Sequence, residues 1–265
     1  MPVDAGAHGS KIAPVSELDP DLLLRAYAIG VFPMADSRDA PSVYWVEPRR
    51  RAVLPLDNFH LSRSLRKTLR SGRFTVTSDA AFREVVRACA DRDETWINDP
   101  IESSYAKLHA LGHAHSVEVW QDGQLVGGLY GVRLGAAFFG ESMFSCATDA
   151  SKVALAWLVA RLKIGGFSLL DCQFMTEHLR SLGATEIPQA AYLVLLSAAL
   201  ADVSPGAGLA GVREAPGVDW AALDALLAAA SSDSSSEPPG CVIAQLLGQT
   251  SQIGCSTTLS DGDSL

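Results

Sequence analysis

Apolar residues spaced by threes and fours over residues 17–29 (ELDPDLLLRAYAI) predict a helix, started by Asp19-Pro20 and stopped at Gly30. Residues 43–56 are extended and broken by prolines. A short basic helix over 60–69 opens at Ser62, and Phe74-Thr75-Val76-Thr77 has the character of a strand. Two amphipathic helices follow over 79–90 and 101–111, the second ending at Gly112. From Ser116 the apolar period changes from 3.6 to 2. The run SVEVWQDGQLVGGLYGVRLGAAFFGESMF predicts three antiparallel strands, joined at Asp122-Gly123 and around Arg133-Leu134-Gly135. A helix over 149–164, capped by Asp149 and stopped by Gly165-Gly166, comes next. A strand over 167–174, a short helix over 177–182 and a longer one over 188–201 complete the pattern, and no repeat of 20–50 residues is visible.

Meander, helix, strand and helix between 116 and 201 is the order of a GNAT-type acyltransferase core. The expected class is therefore α+β, a GNAT-like (acyl-CoA N-acyltransferase-like) core with a small α+β amino-terminal domain. The expected divisions are a flexible lead over 1–15, the small domain over 16–78, and the catalytic domain with its leading helices over 79–202. An acidic, low-complexity and partly disordered tail occupies 203–265, where SSDSSSEPP stands out and only 220–230 carries a marginal helix pattern.

At 265 residues and 48% apolar, the chain can bury a sizeable core. Mean hydropathy is +0.16, yet no run reaches the ~18–20 consecutive apolar residues of a membrane span. The first twenty residues lack a charged segment followed by an apolar one, so no export and no membrane association are expected. Five cysteines without CxxC pairing fit a reduced, cytoplasmic compartment. The net charge of −9 is unevenly spread: residues 45–75 carry eight basic and two acidic side chains, whereas 201–265 carry eight acidic and one basic. A polyanion can approach the basic segment, because charges beyond ~10 Å are screened.

Two carboxylates carry the chemistry. Glu141, in Gly140-Glu141-Ser142-Met143-Phe144-Ser145, and Asp171, in Leu169-Leu170-Asp171-Cys172-Gln173, lie inside apolar, strand-like runs. An unpaired buried carboxylate is costly to desolvate, so the pair suggests one pocket that receives positive charge. The stretch 145–152, where a GNAT enzyme would cradle a pyrophosphate at a helix start, holds no glycine and includes Asp149. Coenzyme A is therefore not expected. His113 and His115 share a strand face but have no third ligand at a recognisable spacing, so they read as structural and no metal is expected. No GxSxG elbow and no P-loop is present. The basic helix, clustered with Arg49, Arg50, Arg51 and the aromatic pair Tyr44-Trp45, has the make-up of a surface for unpaired RNA.

These motifs together resemble the leucyl/phenylalanyl-tRNA–protein transferase family. The resemblance rests on Gly30-Val31-Phe32-Pro33, Tyr44-Trp45, Pro48-Arg49-Arg50-Arg51-Ala52-Val53-Leu54, His60-Leu61-Ser62-Arg63-Ser64 and Thr95-Trp96-Ile97. It continues through Leu111-Gly112-His113-Ala114-His115-Ser116-Val117-Glu118, Gly127-Gly128-Leu129-Tyr130-Gly131, the Glu141 run, Asp171-Cys172-Gln173 and Ser181-Leu182-Gly183-Ala184, in order over about residues 18–195. It implies transfer of Leu or Phe from Leu-tRNA or Phe-tRNA to proteins that begin with Arg or Lys, creating an N-terminal degradation signal, without a cofactor. By position, Leu129, Met143 and Leu170 are implied walls of the side-chain pocket, and Ser145 is grouped with the substrate-binding residues. Trp96 and Tyr105 match residues near the terminal adenosine, and Arg63, Lys67 and Arg70 match the tRNA-contacting surface. Asp171 and Gln173 are the implied catalytic pair, Asp171 orienting Gln173 so that its amide oxygen accepts from the attacking amine. Glu141 is implied to meet the acceptor's first side chain. The ester is already activated and an α-amino group has a pKa of about 7.7–8.0, so positioning can dominate.

Two positions depart from the family pattern: Met34 replaces a common aromatic after Phe32-Pro33, and Gln189 replaces an arginine after Ile187-Pro188. Alternative readings are another GNAT-type tRNA-dependent aminoacyltransferase, such as a peptidoglycan-bridge enzyme, or a non-catalytic RNA-binding module.

Overall fold

Asp19 opens the first helix by accepting the Leu22 amide on its side chain, and Gly30, at φ +81°, turns the chain out of it. That helix, α1 (Pro20–Ala28), leads into a two-stranded ribbon, β1 (Phe32–Met34) with β2 (Tyr44–Val46), and then β3 (Arg50–Val53). The computed structural model describes residues 18–201, 216–231 and 237–248; the lead expected over 1–15 lies outside them.

Next come α2 (Arg63–Arg70), capped by Ser62, β4 (Thr75–Ser78), α3 (Phe82–Ala90) and α4 (Asp99–Ala110). The meander forms as β5 (Ala114–Gln121), β6 (Gln124–Leu134) and β7 (Ala137–Ser145). Asp122 and Gly123, both at positive φ, make its first turn. Then follow α5 (Ala150–Ile164), β8 (Leu169–Gln173), α6 (Glu177–Ser181), β9 (Thr185–Pro188) and α7 (Gln189–Ala199). The expected GNAT-like order of meander, helix, strand and helix is thus present.

Seven strands form one sheet in the order β4-β5-β6-β7-β8-β3-β9, antiparallel except for the parallel pair β7–β8. Two strands of the segment assigned to the small amino-terminal domain, β3 and β4, are members of this sheet. Side chains alternate along the strands into two cores. Val117, Val119 and Leu129 join α2 and α5 on one face, while Ala114, Tyr130 and Val132 join α1, α3, α4 and α7 on the other.

Eleven of the fifteen residues of α5 are buried, so this helix needs cover on its outer side as well as its sheet side. Helices α8 (Ala222–Ser231), where a marginal helix pattern was expected over 220–230, and α9 (Pro239–Gly248), in the stretch expected to be a low-complexity tail, supply it. Trp220, just before α8, stacks on Phe138 at 5.4 Å and on His115 at 4.2 Å, and its indole N–H donates to Asp79 at 2.9 Å. Arg161 of α5 clamps Asp224 through both terminal nitrogens. The expected cap at Asp149 does not form. That residue sits at φ +71°, and its carboxylate accepts from Lys152 and Thr68 instead of from the helix amides.

Candidate active site

The sheet parts in its middle. Strands β7 and β8 pair only over Ala137–Phe139 and Leu169–Asp171, after which β8 keeps β3 as its partner. On the opposite edge of β7 the register slips, with Tyr130 opposite Ser142 and Gly131 opposite Gly140, so Glu141 is an extra, bulged residue. Glycine is required at 131, where a Cβ would lie 2.3 Å from the Phe139 carbonyl oxygen. The bulge and the parting together turn Glu141 and Gln173 toward each other.

Glu141 is buried and collects three donors: the Tyr27 hydroxyl at 2.7 Å and the Gln173 amide nitrogen at 2.8 Å on Oε1, and the Tyr105 hydroxyl at 2.9 Å on Oε2. Tyr27 and Tyr105 also touch through their hydroxyls. Burial pushes the Glu141 carboxyl up to about 7 despite its donors.

Asp171 is wholly buried and is not without a partner. Arg51 donates from Nε to both carboxylate oxygens (2.9 and 3.0 Å) and from Nη2 to Oδ2 at 2.6 Å, while Tyr192 and the Gln173 amide also donate to it. Arg51 is itself buried between the Phe32 and Tyr192 rings, with Nη1 on the Gly30 carbonyl. It therefore belongs to the interior and not to a basic surface with Arg49 and Arg50, because β3 turns successive side chains in different directions.

Gln173 ends β8 at φ +59°, a left-handed conformation that costs a glutamine about 1–2 kcal/mol. Two contacts hold it there: its backbone N–H on Asp171 and its side-chain N–H on Glu141. With the amide nitrogen committed to Glu141, the carbonyl oxygen is the end left to accept a proton donor.

Beside this pair lies a cavity of about 380 Å³. Leu129, Met143, Leu155, Leu158, Leu170 and Leu179 give it apolar walls, Glu141 and Gln173 give it polar ones, and Arg92, Trp96 and His178 also line it. Trp96, Leu129, Glu141, Met143, Leu170 and Gln173 are thus brought together, whereas Tyr105 and Asp171 stand behind the cavity wall. Ser145 lies away from it, where its hydroxyl donates to the Ala147 carbonyl and accepts the Ser151 amide at the start of α5. Arg63, Lys67 and Arg70 share the exposed face of α2 and do not line the cavity. His115 pairs with Asp79 at 2.8 Å, and among the described residues no group of three His, Cys, Asp or Glu could hold a metal. Gln189 donates to Glu47 at 2.6 Å.

Sequence reasoning missed Arg51, Tyr27, Tyr192 and Arg92. For Arg51 a signal existed: two carboxylates in apolar strands require a buried cation, and Arg51 sits in the only arginine run predicted to be extended.

Residues 53–197 match the family model described as leucyl/phenylalanyl-tRNA protein transferase, and residues 16–49 match that family's N-terminal domain. The chain belongs to this family. A leucyl/phenylalanyl-tRNA–protein transferase of Rhizorhabdus wittichii is 61% identical over 248 residues, covering 88% of this chain and 99% of the relative. The protein of the same name from Novosphingobium aromaticivorans is 55% identical, covering 91% and 100%. Among solved structures, that of FemX aligns with a TM-score of 0.45 at 14% identity, covering 71% of this chain and 74% of that one. Among the described residues, no helix is long and apolar enough to cross a membrane.

Proposed function

We propose that this chain transfers Leu or Phe from aminoacyl-tRNA to the α-amino group of proteins whose first residue is Arg or Lys, in the cytoplasm and without coenzyme A. The observation that carries this reading is the fixed Gln173 carbonyl beside an apolar cavity. The cavity's volume lies in the range of about 300–1,000 Å³ usual for small-ligand sites, and its leucine and methionine walls suit an aliphatic or aromatic side chain.

The acceptor amine attacks the ester carbonyl, the bond from that carbon to the ribose oxygen breaks, and a peptide bond forms. Over the reaction one proton passes from the nitrogen to the leaving ribose oxygen. Gln173 accepts an N–H of the amine and aims its lone pair, while Glu141 and Asp171 hold Gln173 in its left-handed conformation. Glu141 also draws the acceptor's cationic side chain, since Oε2 keeps an acceptor site after Tyr105. The stretch over 145–152 that leads into α5 holds no glycine for a pyrophosphate-cradling turn, which supports a donor other than coenzyme A.

The test is incubation with labelled Leu-tRNA and peptides that begin with Arg, Lys or Ala. Labelled product is expected with Arg and Lys alone, and its absence with all three would refute the reading. Glu141→Gln is expected to weaken selection for Arg and Lys more than it weakens tRNA binding. Equal loss of both would make Glu141 purely structural.

A further inference from the structure

The loop between α3 and α4 brings two side chains to the cavity that the transfer step does not use, Arg92 and Trp96. Arg92 is exposed, yet it is tethered: its Nη2 donates to the Ser142 hydroxyl at 3.1 Å, one residue beyond Glu141. A guanidinium carries five N–H donors, and Ser142 takes one of them. Among the described residues no other arginine and no lysine lines the cavity, and the cations of α2 lie elsewhere. An indole and a guanidinium lining one cavity are the side-chain types that can hold a nucleotide, the ring stacking a base and the cation meeting a phosphate through directed hydrogen bonds.

We infer that Arg92 binds the phosphate immediately before the terminal nucleoside of the donor RNA and so positions the aminoacyl ester over Gln173. This rests on the proposed transfer reaction. Arg92 is in this sense a substrate-binding residue for the donor alone.

The experiment compares the parent chain with Arg92→Ala and Arg92→Lys, using two donors. One is Leu-tRNA; the other is leucyl-adenosine, which has no phosphate, tested as a donor and as a competitor of Leu-tRNA. Arg92→Ala is expected to raise KM for Leu-tRNA about tenfold with kcat unchanged. The log–log salt dependence of that KM becomes shallower by about 0.7, the value for one phosphate contact on a single strand. Constants for leucyl-adenosine and for the Arg-peptide stay as in the parent, and Arg92→Lys recovers most of the loss. Equal losses with both donors would place Arg92 on the acyl group or the acceptor, and no loss with Leu-tRNA would remove it from the site; either result overturns the inference. A parent chain that makes no product from Leu-tRNA would instead bring down the transfer reading itself, which separates the two failures.

Discussion

The Arg51 guanidinium grips the Asp171 carboxylate across neighbouring strands, Nε on Oδ1 at 2.9 Å and Nη2 on Oδ2 at 2.6 Å, with neither side chain reaching solvent. A bidentate pair of this kind fixes orientation as well as charge. Asp171 in turn accepts the Gln173 backbone amide, so a residue 120 positions away in sequence sets the end of β8.

Removing one partner leaves a bare buried charge. Arg51→Ala is expected to cost about 3–5 kcal/mol of stability, and pairing Arg51→Met with Asp171→Leu to recover most of it. Urea denaturation measures both. A loss below about 1 kcal/mol for Arg51→Ala would show that the pair is not the anchor described.

Gln173→Ala removes the carbonyl that faces the amine while leaving Asp171 and Arg51 in place. It is expected to lower kcat about 100-fold with KM for Leu-tRNA unchanged, as for a misplaced nucleophile. Steady-state kinetics with an Arg-peptide decide it, and an equal rise in KM would reassign Gln173 to donor binding.

Much of this architecture was legible beforehand. Ser62, Gly112 and Asp122-Gly123 announced their caps and turns because such signals act within a few residues. Glu141 and Gln173 stood out as polar residues in apolar strands. Arg51 meeting Asp171, and Tyr27 meeting Glu141 from α1, were hidden because nothing local distinguishes a buried arginine or phenol from an exposed one. Helix α9 escaped notice for a different reason: its apolar residues follow a serine-rich run, and it is held by packing on α2 and α5 more than by local pattern.

Glu141 ties stability to pH. Its carboxyl moves from an ordinary 4.5 up to about 7 on burial, so between those values the folded chain keeps a proton that the unfolded chain has lost. The stability it contributes therefore falls as pH rises through that window and is level above it, by about 3 kcal/mol in all at about 1.4 kcal/mol per pH unit. Glu141→Gln cannot titrate. The difference in unfolding free energy between the two chains should change by that amount from pH 4.5 to 7.5, and parallel curves would contradict the buried assignment.

Trp220 closes the core over Phe138 and His115. Trp220→Ala is expected to cost about 3–5 kcal/mol, as for other large aromatics removed from a core. Thermal unfolding reports it. A chain ended at residue 202 should lose at least as much, and an unchanged melting temperature would show that α8 and α9 are dispensable.

Helix α9 lies so close to α2 that a Cβ on Gly240 would fall 1.9 Å from the Leu69 carbonyl oxygen. Close contact of this sort leaves no room for an attached group. A chain shortened for purification tags, fluorophores or surface immobilisation must therefore keep residues through 248, some forty-six residues beyond the point at which the strong amphipathic pattern fades.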